Sequence, residues 1–116
     1  MKFNYILGIF FLIAPLGMVA EELSEPFVNE QFQEILLASK EENWDFVREA
    51  SLAFISEHED LSGFKDIYFH LGLSYYYLGD FEFCNDYLAK YLDKTITPKH
   101  FEEALLYRFA VAEEFR

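Results

Sequence analysis

A chain of 116 residues has room for one domain of ordinary size. Its 21 acidic residues against nine basic ones give a net charge of −12, a field that repels nucleic acid and anionic lipid surfaces and favours a basic protein partner. The single cysteine, Cys84, excludes an intrachain disulfide, so the fold has to be held by packing.

The chain opens with MKFNYILGIFFLIAPLGMVAEELSEP. Lys2 supplies a positive start, Ile6 to Ile13 form an apolar run, and Pro15 and Gly17 break a helix before Met18-Val19-Ala20 and a run of acids. This is the layout of a secretory signal peptide, residues 1–20, cut after Ala20. Met18 departs from the small residue favoured three places before the cut. The apolar run is shorter than the about 20 residues a membrane-spanning helix needs. The alternative is an uncleaved anchor through residues 5–19, which would be the chain's only link to a membrane. No cysteine lies between Met1 and Ala20, so a lipid-anchored form is not supported. Cleavage removes Lys2 and no acid, leaving 8 bases against 21 acids, a net of −13. Residues 21–60 hold 12 of those acids against Lys40 and Arg48. Glu30, Glu34, Glu41 and Glu42 among them are placed to steer a basic partner.

Beyond the leader the spacing is helical throughout, with no sustained alternation and no Asn-Gly or Asp-Gly hairpin turn. The expected class is all-α: antiparallel hairpins stacked as a short solenoid, about five helices after the leader. A first helix is expected from about Pro26 to Ser39, carrying Phe27, Ile35 and Leu36, with Pro15, Pro26 and Pro98 all at boundaries. In KDIYFHLGLSYYYLG, residues 65–79, Tyr68, Leu71, Gly72, Tyr75 and Leu78 fall on one helical face. Gly79-Asp80 then stops one helix and caps the next. Phe81, Cys84, Leu88, Tyr91 and Leu92 share a face of that second helix. Gly72 in mid-helix costs roughly 1 kcal/mol against Ala, which makes sense where another helix must come close. Thr97-Pro98 reads as the N-cap and first position of a third unit, HFEEALLYRFAVAEEFR. There Phe101, Ala104, Leu105 and Ala112 line one face, and Leu106, Phe109 and Ala110 another. A helix apolar on two faces is expected to continue a longer array or to dock on a partner.

Tyr68, Leu71-Gly72, Tyr75, Gly79-Asp80-Phe81, Cys84, Leu88, Tyr91 and Pro98 together resemble a tetratricopeptide repeat. In that family a helix-turn-helix of about 34 residues carries a bulky residue, a Leu-Gly pair and a Tyr on its first helix. Cys84 fills the family's small-residue place, while Leu88 and Tyr91 stand where Phe and Ala are more usual. An internal repeat accompanies the resemblance: WDFVREASLAFI (44–55) aligns with FEFCNDYLAKYL (81–92) at an offset of 37 residues. The organisation expected is therefore a leader at 1–20, an atypical first hairpin at 21–64, the repeat at 65–98, and a further or capping helix at 99–116. The resemblance implies an exported protein-interaction scaffold of the periplasm or cell envelope, similar to helical-repeat proteins of envelope assembly. A protein or peptide partner of basic character would lie in a concave groove.

Tyr68, Leu71, Gly72, Tyr75, Cys84, Leu88 and Tyr91 are expected to pack between helices. Tyr76, Asn85 and Lys90 are the candidates for the partner surface. No catalytic, cofactor or metal site is expected. His58, His70 and His100 lack metal-ligand spacing, and adjacent acids such as Glu102-Glu103 diverge by about 100° on a helix. No phosphate-cradling loop or nucleophile motif is present. Cys84 lies on the apolar stripe, as an inert buried thiol would.

Overall fold

The computed structural model describes residues 16–115, with side chains described from Pro26 onward. The chain divides after Gln31 into two units. The apolar run at Ile6 to Ile13, on which the expected leader rests, lies outside the described residues. The described residues form five helices: α1 (Leu16–Lys40), α2 (Trp44–Glu57), α3 (Asp66–Tyr77), α4 (Phe81–Lys94) and α5 (Phe101–Glu114). The fold is all-α, and among the described residues no helix is long and apolar enough to cross a membrane.

Three details of the sequence reading need correction. Pro26 lies inside α1 rather than at a boundary, and α1 runs on through the Ala20-Glu21 junction. A proline gives up its own helical hydrogen bond without preventing the flanking turns from continuing as a kinked or strained helix. Thr97-Pro98 does not start the last helix, which begins at Phe101 with His100 as its N-cap residue. The physical reason is tertiary: the His100 N–H donates to the Tyr91 hydroxyl at 2.8 Å, and the His100 ring stacks on Phe69. Those contacts hold the chain in an irregular segment until His100. Asp80 occupies the cap position of α4 but makes no side-chain cap bond. Its backbone carbonyl accepts from Cys84 N–H at 3.1 Å instead, and its charge favours the helix N-terminus through the dipole.

From Phe32 onward, α2, α3 and α4 each pack on the helix that follows. α3 packs on α2 and α4, and also touches α5. It is therefore the buried middle of the stack: every residue from Ile67 to Tyr75 except His70 is buried. At the first hairpin, Phe32 of α1 meets Phe54 of α2 with ring centres 6.1 Å apart. Phe64, from the loop before α3, closes against both rings at 5.1 and 5.6 Å.

The internal repeat is carried into the backbone. α1 ends with Glu42 at φ 62° and α3 ends with Gly79 at φ 88°. Asn43 N–H reaches back to Ala38 C=O at 2.9 Å, and Asp80 N–H to Tyr75 C=O at 2.8 Å. Glu42 N–H bonds Ser39 C=O, and Gly79 N–H bonds Tyr76 C=O. Both are Schellman turns with the same pair of bonds, and every residue of one lies 37 positions from its counterpart. Burial repeats at the same offset: Val47 and Cys84, Ser51 and Leu88, and Phe54 and Tyr91 are all buried.

The α3–α4 contact is close because Gly72 has no side chain. A Cβ there would stand 2.7 Å from Leu88 Cδ2 and 2.9 Å from Leu88 Cγ. Leu88 is fully buried, and its backbone N would stand 3.4 Å from the same Cβ. The helix-propensity gain of Gly→Ala, about 1 kcal/mol, is set against an overpacking cost of about 1–3 kcal/mol. Packing should win. Gly72→Ala is expected to lower the thermal midpoint, and Gly72→Leu to lower it further. Adding Leu88→Ala to Gly72→Ala should cost less than Leu88→Ala costs alone. Unchanged melting of Gly72→Leu would refute the close contact.

The two Schellman turns make opposite predictions. Glu42 holds a left-handed conformation that costs a residue with a Cβ about 1–2 kcal/mol. Glu42→Gly should therefore stabilise the chain by a few tenths to about 1 kcal/mol, and Gly79→Ala should destabilise it by about as much. Denaturant midpoints would measure both, and a destabilising Glu42→Gly would contradict the assignment.

Candidate partner-binding surface

The packing residues expected from the sequence lie together. Leu71, Cys84, Leu88 and Tyr91 are fully buried, and Tyr68, Gly72 and Tyr75 are buried beside them. Tyr68 and Tyr75 flank Tyr87 of α4, with ring centres at 6.4 and 5.8 Å. Burial first, and then the charge of Asp80, pushes the Cys84 thiol up to about 12. A thiol held protonated at neutral pH is a poor nucleophile.

Tyr76, Asn85 and Lys90 do not share one surface. Tyr76 is wedged between helices, its ring 5.5 Å from Phe81 of α4 and 5.0 Å from Tyr107 of α5. Asn85 faces α5, where its Oδ1 accepts from Arg108 Nε–H at 2.9 Å. Lys90 is exposed with its ammonium 5.2 Å from the Tyr87 ring centre. Asn85 and Lys90 are five positions apart on one helix, about 140° around its axis. Sequence spacing could not reveal this, because α5 reaches Tyr76 and Asn85 from more than 20 residues away.

Three regions of the described residues gather distinct side-chain chemistry. The first is an aromatic end built by the start of α2, the end of α3 and the middle of α5. Trp44 stacks on Tyr77 with ring centres 4.8 Å apart and planes 11° from parallel. The Tyr77 and Tyr107 hydroxyls are hydrogen-bonded, and Tyr77 is half exposed. Burial and that bond raise the Tyr107 pKa, so it stays a neutral phenol.

The second is a line of polar side chains across α1, α3 and the head of α5. Ser39 Oγ and His70 Nδ1 lie 2.8 Å apart. The His70 and His100 rings are 5.7 Å apart and edge-on. His100 stacks flat on Phe69 at 4.3 Å, with Glu103 Oε1 2.8 Å from its Nδ1 and Asp66 Oδ2 3.7 Å from its Nε2. Lys99 also reaches Asp66, at 3.7 Å. His70 and His100 lack metal-ligand spacing in the sequence, and the fold brings their rings together. No local motif signals it; the contact joins residues 30 apart.

The third is a groove of about 540 Å³ between α4 and α5. Asn85 forms one wall, and Leu105, Arg108, Phe109, Val111, Ala112 and Phe115 form the other. The face grouping expected for α5 needs correction. Ala104 is fully buried against the stack together with Val111, while Phe109 joins Phe101, Leu105 and Ala112 on the exposed side. Phe109 is 70% exposed. Among the described residues no group of three or more His, Cys, Asp or Glu gathers as metal ligands would.

No family model, curated protein or solved structure matches the chain.

Desolvation, followed by the nearby His100 and against the carboxylates of Asp66 and Glu103, lowers the His70 pKa from 6.5 to about 4. The unfolded chain therefore takes up this proton at higher pH than the folded chain does. His70 contributes stability that is fully present above pH 6.5 and is lost as pH falls toward about 4. The expected result is a falling denaturation midpoint across that window, with a shallower fall in His70→Gln. A His70 imidazole that titrates by NMR at 6.5 or above would contradict this.

Proposed function

We propose that this chain is an exported helical-repeat scaffold of the cell envelope, with a tetratricopeptide-like hairpin at its centre. It acts by binding a protein or peptide partner and catalyses no reaction. The observation that carries the reading is the duplicated hairpin. Turn bonds, left-handed residue and buried positions recur at 37 residues, so the chain builds by stacking one unit on the next. A stack of this kind buries the faces between hairpins and leaves continuous side surfaces for extended or helical partners. The tyrosines and Trp44 at the aromatic end supply rigid, amphipathic contact area of the sort that dominates binding energy. Glu30, Glu34, Glu41 and Glu42 are exposed and give the first half an acidic field. A basic partner would be drawn by that field at low salt.

Export rests on the leader-like start, which supports a working compartment in the periplasm or cell envelope. The test uses the native host. A photo-crosslinking residue is placed at Tyr77 and, as a control, at Glu57 on the far end of α2. The expected outcome is one discrete protein adduct in the envelope fraction from Tyr77, absent from Glu57 and weakened by added salt. The intact mass of the captured chain should equal residues 21–116 plus the adduct. A chain retained whole and held by carbonate-washed membranes would move the reading to a tethered scaffold. Equal adducts from both positions, or none, would overturn the interaction reading.

A further inference from the structure

α5 sits in the stack as α3 does, but its outer flank is open. On α3, the flank that receives α4 consists of Tyr68, Leu71, Gly72 and Tyr75, with Leu78 at the end. Shifting by 37 residues, the offset set by the two Schellman turns, gives Leu105, Arg108, Phe109, Ala112 and Phe115. All five line the α4–α5 groove, together with Val111 beneath them and Asn85 of α4. The open groove is therefore the same seat, one unit further along, that α4 fills on α3. The groove continues an interface the fold has already built once, and its register belongs to a helix.

We propose that this groove seats an amphipathic helix of a basic partner protein, running antiparallel to α5 as α4 runs on α3. The proposal rests on the interaction reading above and names one site and one class of guest for it. The residue sizes define that guest. Where Gly72 admits Leu88, the groove presents Phe109, and where Tyr75 stands, it presents Ala112. The large and small places are exchanged. The guest has to offer a small residue opposite Phe109 and a large apolar one opposite Ala112. The charges define its flanks. Helical geometry puts Glu102 and Glu113 within about 40° of Phe109, along the outer edge of the apolar stripe. Lys or Arg on the guest would meet that edge. On the inner edge, Arg108 is held by the neutral Asn85 side chain and offers its remaining N–H groups to an acceptor. A second copy of this chain is a poor guest, since it brings the same acidic edge and a net charge of −12.

The probe is a synthetic helical peptide of about 18 residues, a little longer than the about 21 Å of α5. It carries a leucine stripe interrupted by one central alanine, with lysines on one edge. A twin peptide has glutamates in their place. Both are titrated into the isotope-labelled full chain. The lysine peptide is expected to shift the amide signals of Leu105, Phe109, Ala112 and Phe115 and to leave those of Trp44 and Tyr77 in place. Its affinity should exceed that of the twin by about tenfold or more, and Phe109→Ala should weaken it by a similar factor. Phe109 is exposed, so that variant should keep the parent's melting point. Three results would overturn the proposal: no shifts in the groove, equal affinity for the twins, or a chain that is dimeric by sedimentation and becomes monomeric in Phe109→Asp. The last would give the seat to a second copy. If the peptide fails while Tyr77 still captures a partner, the scaffold reading stands and only this site falls.

Discussion

The contact between Gly72 and Leu88 sets the geometry of the whole stack. With no Cβ in the way, α4 lies close enough on α3 for Leu88 to bury completely. That approach aligns Tyr75 with Tyr87 and Phe83, and Phe69 with Tyr91, along one antiparallel seam. Tyr91 then offers its hydroxyl to the His100 N–H, which fixes where α5 begins. A wedge at Gly72 would move the whole series, because each later contact is registered on the one before it. The roughly 1 kcal/mol of helix propensity forgone at Gly72 is small beside the burial it permits.

The second constraint is the turn. A Schellman turn needs one residue at positive φ, and Gly79 provides it without strain. Glu42 provides it against its own preference. The same bonds form in both places, so the repeat is preserved in backbone geometry even where the residue is unsuited to it. Packing of Phe32, Phe54 and Phe64 over the first hairpin supplies the compensation, since three aromatic rings meet there within 6.1 Å.

The helices and the central hairpin were readable because their signals are local. Apolar spacing on 68–78 and the Gly-Asp break are local patterns, and the 37-residue echo appears when two stretches of the sequence are laid side by side. What could not be read depends on distant residues. His100 meets Phe69 and Asp66 across the stack, and no spacing rule joins positions about 30 apart. Those contacts delay α5 past Thr97-Pro98, where capping chemistry alone would start it. Tyr76 and Asn85 were sensible surface guesses on their own helices, and α5 then covered part of both. Pro26 inside α1 shows the converse, a strong local breaker that the helix passes through.

The two ends of α3 carry different chemistry, and this bears on how the fold responds to its surroundings. Near its start, Asp66, His70 and His100 form a junction whose partly buried imidazole contributes less stability as pH falls. At its end, Trp44, Tyr77 and Tyr107 form a neutral aromatic surface whose phenol stays protonated at any physiological pH. Acidification would therefore loosen the α1–α3–α5 junction, where Ser39 and His100 flank His70, while leaving the aromatic contacts untouched. The α4–α5 groove lies past that junction on α5, so its walls depend on where His100 starts the helix. A guest in the groove and a proton on His70 would thus act on the same helix: one by gripping its outer flank, the other by releasing its first turn.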